Sequence, residues 1–475
     1  MDRLENTIKY HEVDFLLPSQ RFNINFSYVS QRGLPFVREF VLRLVHLSPM
    51  TKSQISVFFG FSRREIDEAI ADLVTRDELL LNETGRLALT EKSMGYFSDL
   101  GEAPRLALLQ DSGARLSFDL ATFTCVGNIR QDKWKSGISL KVDAENVANS
   151  ESLVEKQFQY QFHDILNREL LSKSLIQDEK DHPTIYTVNT VNKIGQTPLR
   201  LKVNFIADEQ GGSVEREDFE MLNDSDYVQR LITIELDRLA RPNNTVEIAR
   251  AMIEIKDDFT IKLIDAKTNS INLKYLEDLN KLEENSGERV TFIGPLYSQK
   301  NWELLQKNLA PVLVSRIENK NSDDKRTFIW IAPSDPYWCK CDRLHVSLSD
   351  FYNKSKTKDK TLYVPRLYLP IENADDHRAI KQWKNELEPY LENAHGIIEG
   401  FLGGNVEVML FEEELAVVVY HLSLPDTYPV TMPIGFICKD AKTVNQIRSV
   451  VRNYLEGSSG HEKPNDCGQI INKHL

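Results

Sequence analysis

The chain has 475 residues, 41% of them hydrophobic and 27% charged, with a formal net charge of −13. That length exceeds one ordinary core and leads us to expect two to four domains, in a composition typical of folded chains. The acid excess repels a phosphate backbone at long range, so bulk charge gives no case for non-specific nucleic-acid binding and any DNA contact must come from a local patch.

No apolar run reaches the roughly 20 residues of a membrane span. The stretch MDRLENTIKYHEVDFLL lacks the basic-then-apolar layout of a secretory signal. The expectation is a cytoplasmic protein without a membrane partner.

In chain order, residues 1–115 read as helical with a short sheet. Pro35 suits the first turn of a helix carrying Phe36, Val37, Phe40, Val41, Leu44 and Val45 at helical spacing, and Pro49 ends it. Residues 116–285 read as an α+β middle domain. ESLVEKQFQYQFHDILNRELL is an amphipathic helix with Val154, Phe158, Phe162, Leu166 and Leu170 near one face. TIYTVNTVNKIGQTPLRLKVNFIA alternates around a turn and predicts a β-hairpin, DYVQRLITIELDRL predicts a helix, and AMIEIKDDFTIKLIDA predicts further strands.

Residues 286–457 alternate strands with helices and predict an α/β layered domain. RVTFI leads through a Gly-Pro turn to a helix that Ser298 caps and that carries Trp302, Leu305 and Leu309 inward. Then come RTFIWIAPSD, LYVPRLYLPI, a helix from about His377 to Tyr390, the paired strands GNVEVMLFEE and LAVVVYHL, the strand MPIGFICKD and a last helix. Residues 458–475 have the composition of a disordered tail. The fold class is therefore α+β and multidomain.

The most specific local pattern lies between Met50 and Phe97. Thr51 caps a short helix that Gly60 closes, and Ser62 caps a second helix with Glu65 three residues on, forming a capping box. Ile66, Ile70, Leu73 and Val74 fall on one face of that second helix. Leu79–Leu81 and Leu87–Leu89 flank a hairpin with Gly85 at its tip. This order resembles the winged-helix family.

The resemblance implies a second helix in the major groove and a wing against the backbone. The positions it marks for DNA contact are Ser62, Arg63, Arg64 and Asp67 in the groove, Thr51, Lys52 and Gln54 near phosphate, and Arg86 and Lys92 on or behind the wing. Glu65, Asp67, Glu68 and Asp72 share the same helix, and Phe36–Phe97 holds eight Lys or Arg against nine Asp or Glu. DNA contact and protein docking both stay open for such a neutral module.

The segments from TFIGPLYSQKNWELLQKNL to the last helix resemble the phospholipase D-like fold. Active members carry His-x-Lys and, after four intervening residues, Asp, because the histidine attacks phosphorus and the lysine holds its oxygens. Here His345, His377, His395 and His421 all lack a lysine two residues on. His461-Glu-Lys463 fits, but Asp466 stands at the wrong distance. The resemblance therefore implies a domain without its nuclease site and no catalytic residue is assigned.

A degenerate domain behind a winged helix is similar to sensor-regulated prokaryotic transcription factors and to accessory subunits of antiphage systems, which would bring a protein partner from a neighbouring gene. A nuclease with an unrecognised site and a pure scaffold are the alternatives.

Other groups imply less. Five cysteines are odd in number and sparse, against a disulfide framework. Cys339-x-Cys341 has His345 as a third ligand but no fourth, so neither metal nor cofactor is expected. Glu412, Glu413 and Glu414 read as a solvated turn, and GFLGG near Gly400 as a turn. His46 reads as a core or boundary residue. Lys354, Lys356, Lys358 and Lys360, with Tyr352 and Tyr363 nearby, form a candidate loop for single-stranded nucleic acid or a plain exposed loop.

Overall fold

The computed structural model describes residues 7–100, 102–129, 134–175, 183–208, 210–265, 270–272, 275, 279, 287–318, 326–457 and 464–473. It is a mixed α+β structure in two compact units, each assembled from separate stretches: 19–130 with 143–197, and 1–18 with 131–142 and 198–475. None of its described helices is long and apolar enough to cross a membrane.

The smaller unit is built on two fifteen-residue strands. In Ser19–Gly33 the apolar residues Phe22, Ile24, Phe26 and Tyr28 recur at every second position and are all buried. This strand pairs antiparallel with Arg105–Asp119 along its whole length and with Thr184–Gln196 on its other side. Helix Ser150–Asn167 covers the sheet, its Phe158 and Phe162 rings 5.1 and 5.7 Å from that of Phe26. Burying each such ring contributes about 2–3 kcal/mol.

The same unit holds three helices, Phe36–Leu47, Lys52–Phe59 and Arg63–Thr75, followed by the paired strands Leu79–Leu81 and Leu87–Leu89. Their core is Val41, Leu42, Val45, Ile55, Ile70 and neighbouring side chains.

The larger unit is organised by an eight-stranded mixed sheet. Its order is Arg289–Ile293, Met432–Cys438, Leu415–Leu422, Val406–Phe411, Thr327–Ile331, Val364–Ile371, Ala394–Ile398 and Asp466–Gln469. The Thr327, Val364 and Ala394 strands are mutually parallel and the remaining neighbours antiparallel. Met432–Cys438, Leu415–Leu422 and Val406–Phe411 are buried at every position, as continuous apolar runs covered on both faces must be.

On one face Phe328, Trp330, Leu367 and Phe411 pack with Trp302 and Leu305 of helix Gln299–Glu318 and with Leu344 and Leu348 of helix Arg343–Asn353. Helices Thr245–Ile255 and Ala441–Glu456 pack on the other. Gly435 sits where a Cβ would lie 2.7 Å from Phe292 Cζ and 2.8 Å from the Val418 carbonyl oxygen, so no side chain fits there.

Several expectations need correction. Residues 1–115 are not mainly helical, because the long strands dominate their ends. Thr184–Gln196 and Leu199–Ala207 are not a hairpin: the first pairs with Ser19–Gly33, the second with Ile8–Leu17. The chain changes units between Thr197 and Pro198. Of the stretch read as strands from Ala251, the first part belongs to helix Thr245–Ile255, where Ile248, Ala251, Met252 and Ile255 are buried at helical spacing, and Thr260–Leu263 is 3-10 helix, whereas Ile264–Asp265 is a strand.

The helix begun at His377 stops at Glu386, and one stretch of 3-10 helix follows. Cuts at 115/116 and 285/286 do not coincide with the two units. Residues 458–463 and 474–475 of the expected tail lie outside the described residues, but Asp466–Gln469 is an edge strand and Ile470 is buried. Their polar composition conceals a segment held by backbone pairing to its neighbour.

Candidate functional site

The helix–hairpin module of residues 36–97 is fixed by local chemistry. Thr51 and Gln54 cap each other, Gln54 Oε1 accepting from the Thr51 backbone N–H at 2.9 Å. Ser62 and Glu65 do the same, with 2.8 Å from the Ser62 N–H to Glu65 Oε2. Gly60, at φ 72°, closes the first of these helices in the left-handed region. Met50 bridges Leu87, tying the hairpin back to the helices. Ile66, Ile70 and Leu73 are buried as expected, whereas Val74 is exposed. Phe36 and Val37 are exposed too, because they precede the turn of their helix that meets the core.

The charged positions of this module divide into two groups. Lys52 Nζ lies 2.9 Å from Asp67 Oδ1, and Arg64 Nε 3.0 Å from Glu68 Oε1. Lys92 Nζ donates to the Arg76 carbonyl at 2.6 Å. Arg63 at the start of its helix and Arg86 in the hairpin are exposed, and among the described residues neither has an ion-pair partner. Thr51, Gln54 and Ser62 spend their side chains on the caps. Surface pairs such as those of Lys52 and Arg64 contribute about 0–1 kcal/mol and exchange readily for another anion.

A second group, in the larger unit, was not assigned from sequence. His421, near the end of Leu415–Leu422, lies 2.6 Å through Nδ1 from Asp335 Oδ2 and 3.2 Å through Nε2 from Glu407 Oε2. Asp335 also accepts from Thr431 Oγ1 at 2.6 Å and from the Tyr337 N–H at 3.0 Å. Glu407 Oε1 accepts from the indoles of Trp330 and Trp338 at 2.7 and 3.1 Å. All three ionisable side chains are sealed from solvent.

Burial alone lowers the His421 pKa, but hydrogen bonds and charges from the two carboxylates overcome it and raise it to about 9. Burial raises that of Asp335, and the imidazole and Thr431 outweigh this to bring it to about 2. Nearby His11 is pushed down to about 4 by burial. An imidazolium donating through both nitrogens has no lone pair with which to attack an electrophile. The available signal was polar residues inside apolar runs, Glu407 in VEVMLF and His421 in LAVVVYHL, which must be partnered when buried.

The remaining sequence candidates separate. Lys354 pairs with Asp350 at 3.0 Å and Lys360 donates to the Arg316 carbonyl at 2.6 Å, while Lys356 and Lys358 are exposed. Tyr363 is fully buried and Tyr352 stacks on Tyr390 with 5.3 Å between centroids, so neither ring can stack on a base. Cys339 lies 3.4 Å from Ser136 Oγ and Cys341 3.1 Å from Glu12 Oε1, so the pair does not converge. His345 is engaged by Tyr390.

Glu12, Asp14, Cys341 and Asp342 place ligand-type atoms within 4.8 Å of one another. Lys9, Arg200 and Lys202 neutralise the three acids. Glu412, Glu413 and Glu414 do form a turn, with Glu413 and Glu414 paired to arginines. His46 stacks near Phe97 at 4.1 Å. His461 and Lys463 lie outside the described residues.

No protein-family model matches this chain, and no curated protein does. Among solved structures, distant likeness is found to NucT from Helicobacter pylori, at 11% identity and a TM-score of 0.21, covering 38% of this chain and 98% of that one. It is also found to TrmBL2, an archaeal chromatin protein whose structure shows a novel mode of DNA binding. The second likeness has 10% identity and a TM-score of 0.19, and covers 62% of this chain and 81% of that one.

Proposed function

We propose that the chain is a non-catalytic DNA-contacting protein, in which a winged-helix module at residues 36–97 meets duplex DNA and a phospholipase D-like domain has lost its hydrolytic residues. The observation that carries this reading is the pair Arg63 and Arg86, exposed cations at a helix start and on the hairpin with no carboxylate partner among the described residues. A helix start also directs backbone N–H groups toward phosphate. Lys52 and Arg64 add two further cations when phosphates replace their surface partners.

Loss of hydrolysis is supported by His345, His377, His395 and His421, none of which has a lysine two residues on. The setting we propose is a prokaryotic regulator, or the recognition subunit of a DNA-targeting defence complex with a neighbouring gene's product as partner.

Fluorescence anisotropy with a short labelled duplex at low salt tests DNA contact, and Arg63→Glu with Arg86→Glu is expected to abolish binding. Unchanged affinity would remove the DNA reading. Incubation with plasmid and Mg²⁺ tests the second half, since nicking that EDTA stops would establish a nuclease instead.

Partner docking by the same module is favoured by a different observation. Val57 and Phe58, adjacent on helix Lys52–Phe59, are 83% and 67% exposed, a level that apolar side chains reach together mainly at interaction surfaces. Val57→Asp with Phe58→Asp is expected to release a protein partner while leaving duplex affinity unchanged.

A further inference from the structure

The eight-stranded sheet is apolar on the face that meets helix Gln299–Glu318. On the opposite face its character changes beneath the second half of helix Ala441–Glu456. Thr327, Ile329, Arg366, Tyr368 and Leu410 alternate out of three neighbouring strands and, with Glu412 of the turn that follows, floor a cavity of about 450 Å³. The helix roofs it with Arg448, Val451, Arg452 and Leu455, a spacing that places all four on one stripe. That volume lies within the range of small-molecule sites, about 300–1,000 Å³.

The acids around this cavity already have partners. Glu412 accepts from the Thr327 N–H and hydroxyl at 3.2 and 3.1 Å, Asp466 accepts from Tyr368 OH at 2.9 Å, and Glu456 pairs with Arg452 at 3.5 Å. Arg448 stands between Glu412 and Glu413.

Arg366 differs from the other two arginines. It is half-buried on an inner strand, and among the described residues no carboxylate lies within ion-pair distance of its guanidinium. Its interaction is with the hydroxyl of Tyr368; a partly desolvated cation facing a cavity with no carboxylate in direct contact is costly, and a guanidinium fork matches two oxygens of one oxyanion.

We propose that this cavity binds a small organic oxyanion, a carboxylate or a phosphate monoester, whose charge rests on Arg366 and whose carbon body packs on Ile329, Leu410, Val451 and Leu455. This site is independent of the DNA reading.

Titration calorimetry of the full chain with benzoate, phenyl phosphate and neutral benzyl alcohol tests it. At least one of the two anions is expected to bind below about 10 mM, with benzyl alcohol silent. Arg366→Gln is expected to weaken binding about tenfold or more, and Arg366→Lys less. Binding of benzoate alone assigns a carboxylate, and of phenyl phosphate alone a phosphate ester. If Arg366→Gln does not fold, exposed Arg452→Gln serves in its place and is expected to weaken binding about threefold. Silence from both anions, or binding that neither substitution weakens, overturns the proposal.

Discussion

His421 Nδ1 and Asp335 Oδ2 approach to 2.6 Å inside the larger unit, with neither side chain open to water. Glu407 holds the other ring nitrogen, so the imidazole is kept charged by two carboxylates. The sign of the resulting pH dependence is set by comparing folded with unfolded values. His421 is raised from 6.5 to about 9, so its contribution is complete below 6.5 and is lost as pH climbs through 9. Asp335 is lowered from 3.8 to about 2, so its contribution is complete above 3.8 and is lost as pH falls through 2. Melting temperature followed from pH 6.5 to 9 should fall more steeply in the parent than in His421→Gln, by the equivalent of roughly 3 kcal/mol. Parallel profiles would show that the ring is neutral.

If the helix–hairpin module contacts DNA through Arg63 and Arg86, each phosphate contact has a countable ionic signature. Arg63→Gln and Arg86→Gln should each reduce the slope of log affinity against log salt by about 0.9. Salt titrations of duplex anisotropy read this directly. Because both side chains are exposed, stability should stay within about 0.5 kcal/mol of the parent.

Arg38 and Glu78 form a largely buried ion pair in the same module, with Arg38 Nε 2.8 Å from Glu78 Oε2 and Glu78 only 1% exposed. Tyr96 OH adds a bond to the same carboxylate at 3.1 Å. Arg38→Leu strands that charge and should destabilise the smaller unit by about 3–5 kcal/mol in urea unfolding. Arg38→Leu with Glu78→Leu should recover most of the loss.

Gly435→Ala should cost about 1–3 kcal/mol, since the added methyl meets a carbonyl oxygen in the adjacent strand and a ring edge in the other neighbour. Phe292→Leu removes the ring and should recover part of it. Chemical unfolding of the two variants together measures that coupling.

Local rules were legible where cause and effect lie within a few residues. Ser62 with Glu65, Gly60, and the apolar stripe of Val154, Phe158 and Phe162 could be read from spacing, and the helices formed where they said. The Ser19–Gly33 strand carries a local signal as well, Phe22, Ile24, Phe26 and Tyr28 alternating strictly, yet residues 1–115 read as helical with a short sheet because the helical spacing after Pro35 is the stronger pattern.

Strand partnership was not legible. Leu199–Ala207 alternates cleanly while the pairing of Thr184–Gln196 is interrupted by bulges, and nothing local says that they pair with different strands. The charged cluster was hidden for the same reason, because His421 and Asp335 stand 86 residues apart. In the module, the spacing of Arg64 and Glu68 foretells their pairing, whereas that of Lys52 with Asp67 depends on how two helices cross.

The strand Ile8–Leu17 has its antiparallel partner at Leu199–Ala207. During synthesis the early strand emerges roughly 190 residues before the late one, a wait on the order of ten seconds or more at ribosomal speed. Its Tyr10, Val13, Phe15 and Leu17 stay uncovered for that time while the intervening residues complete their own sheet. The sheet of the larger unit that holds Ile8–Leu17 is therefore completed only after the inserted stretch has been made, and a nascent chain stalled before residue 199 would present this sticky early segment to chaperones.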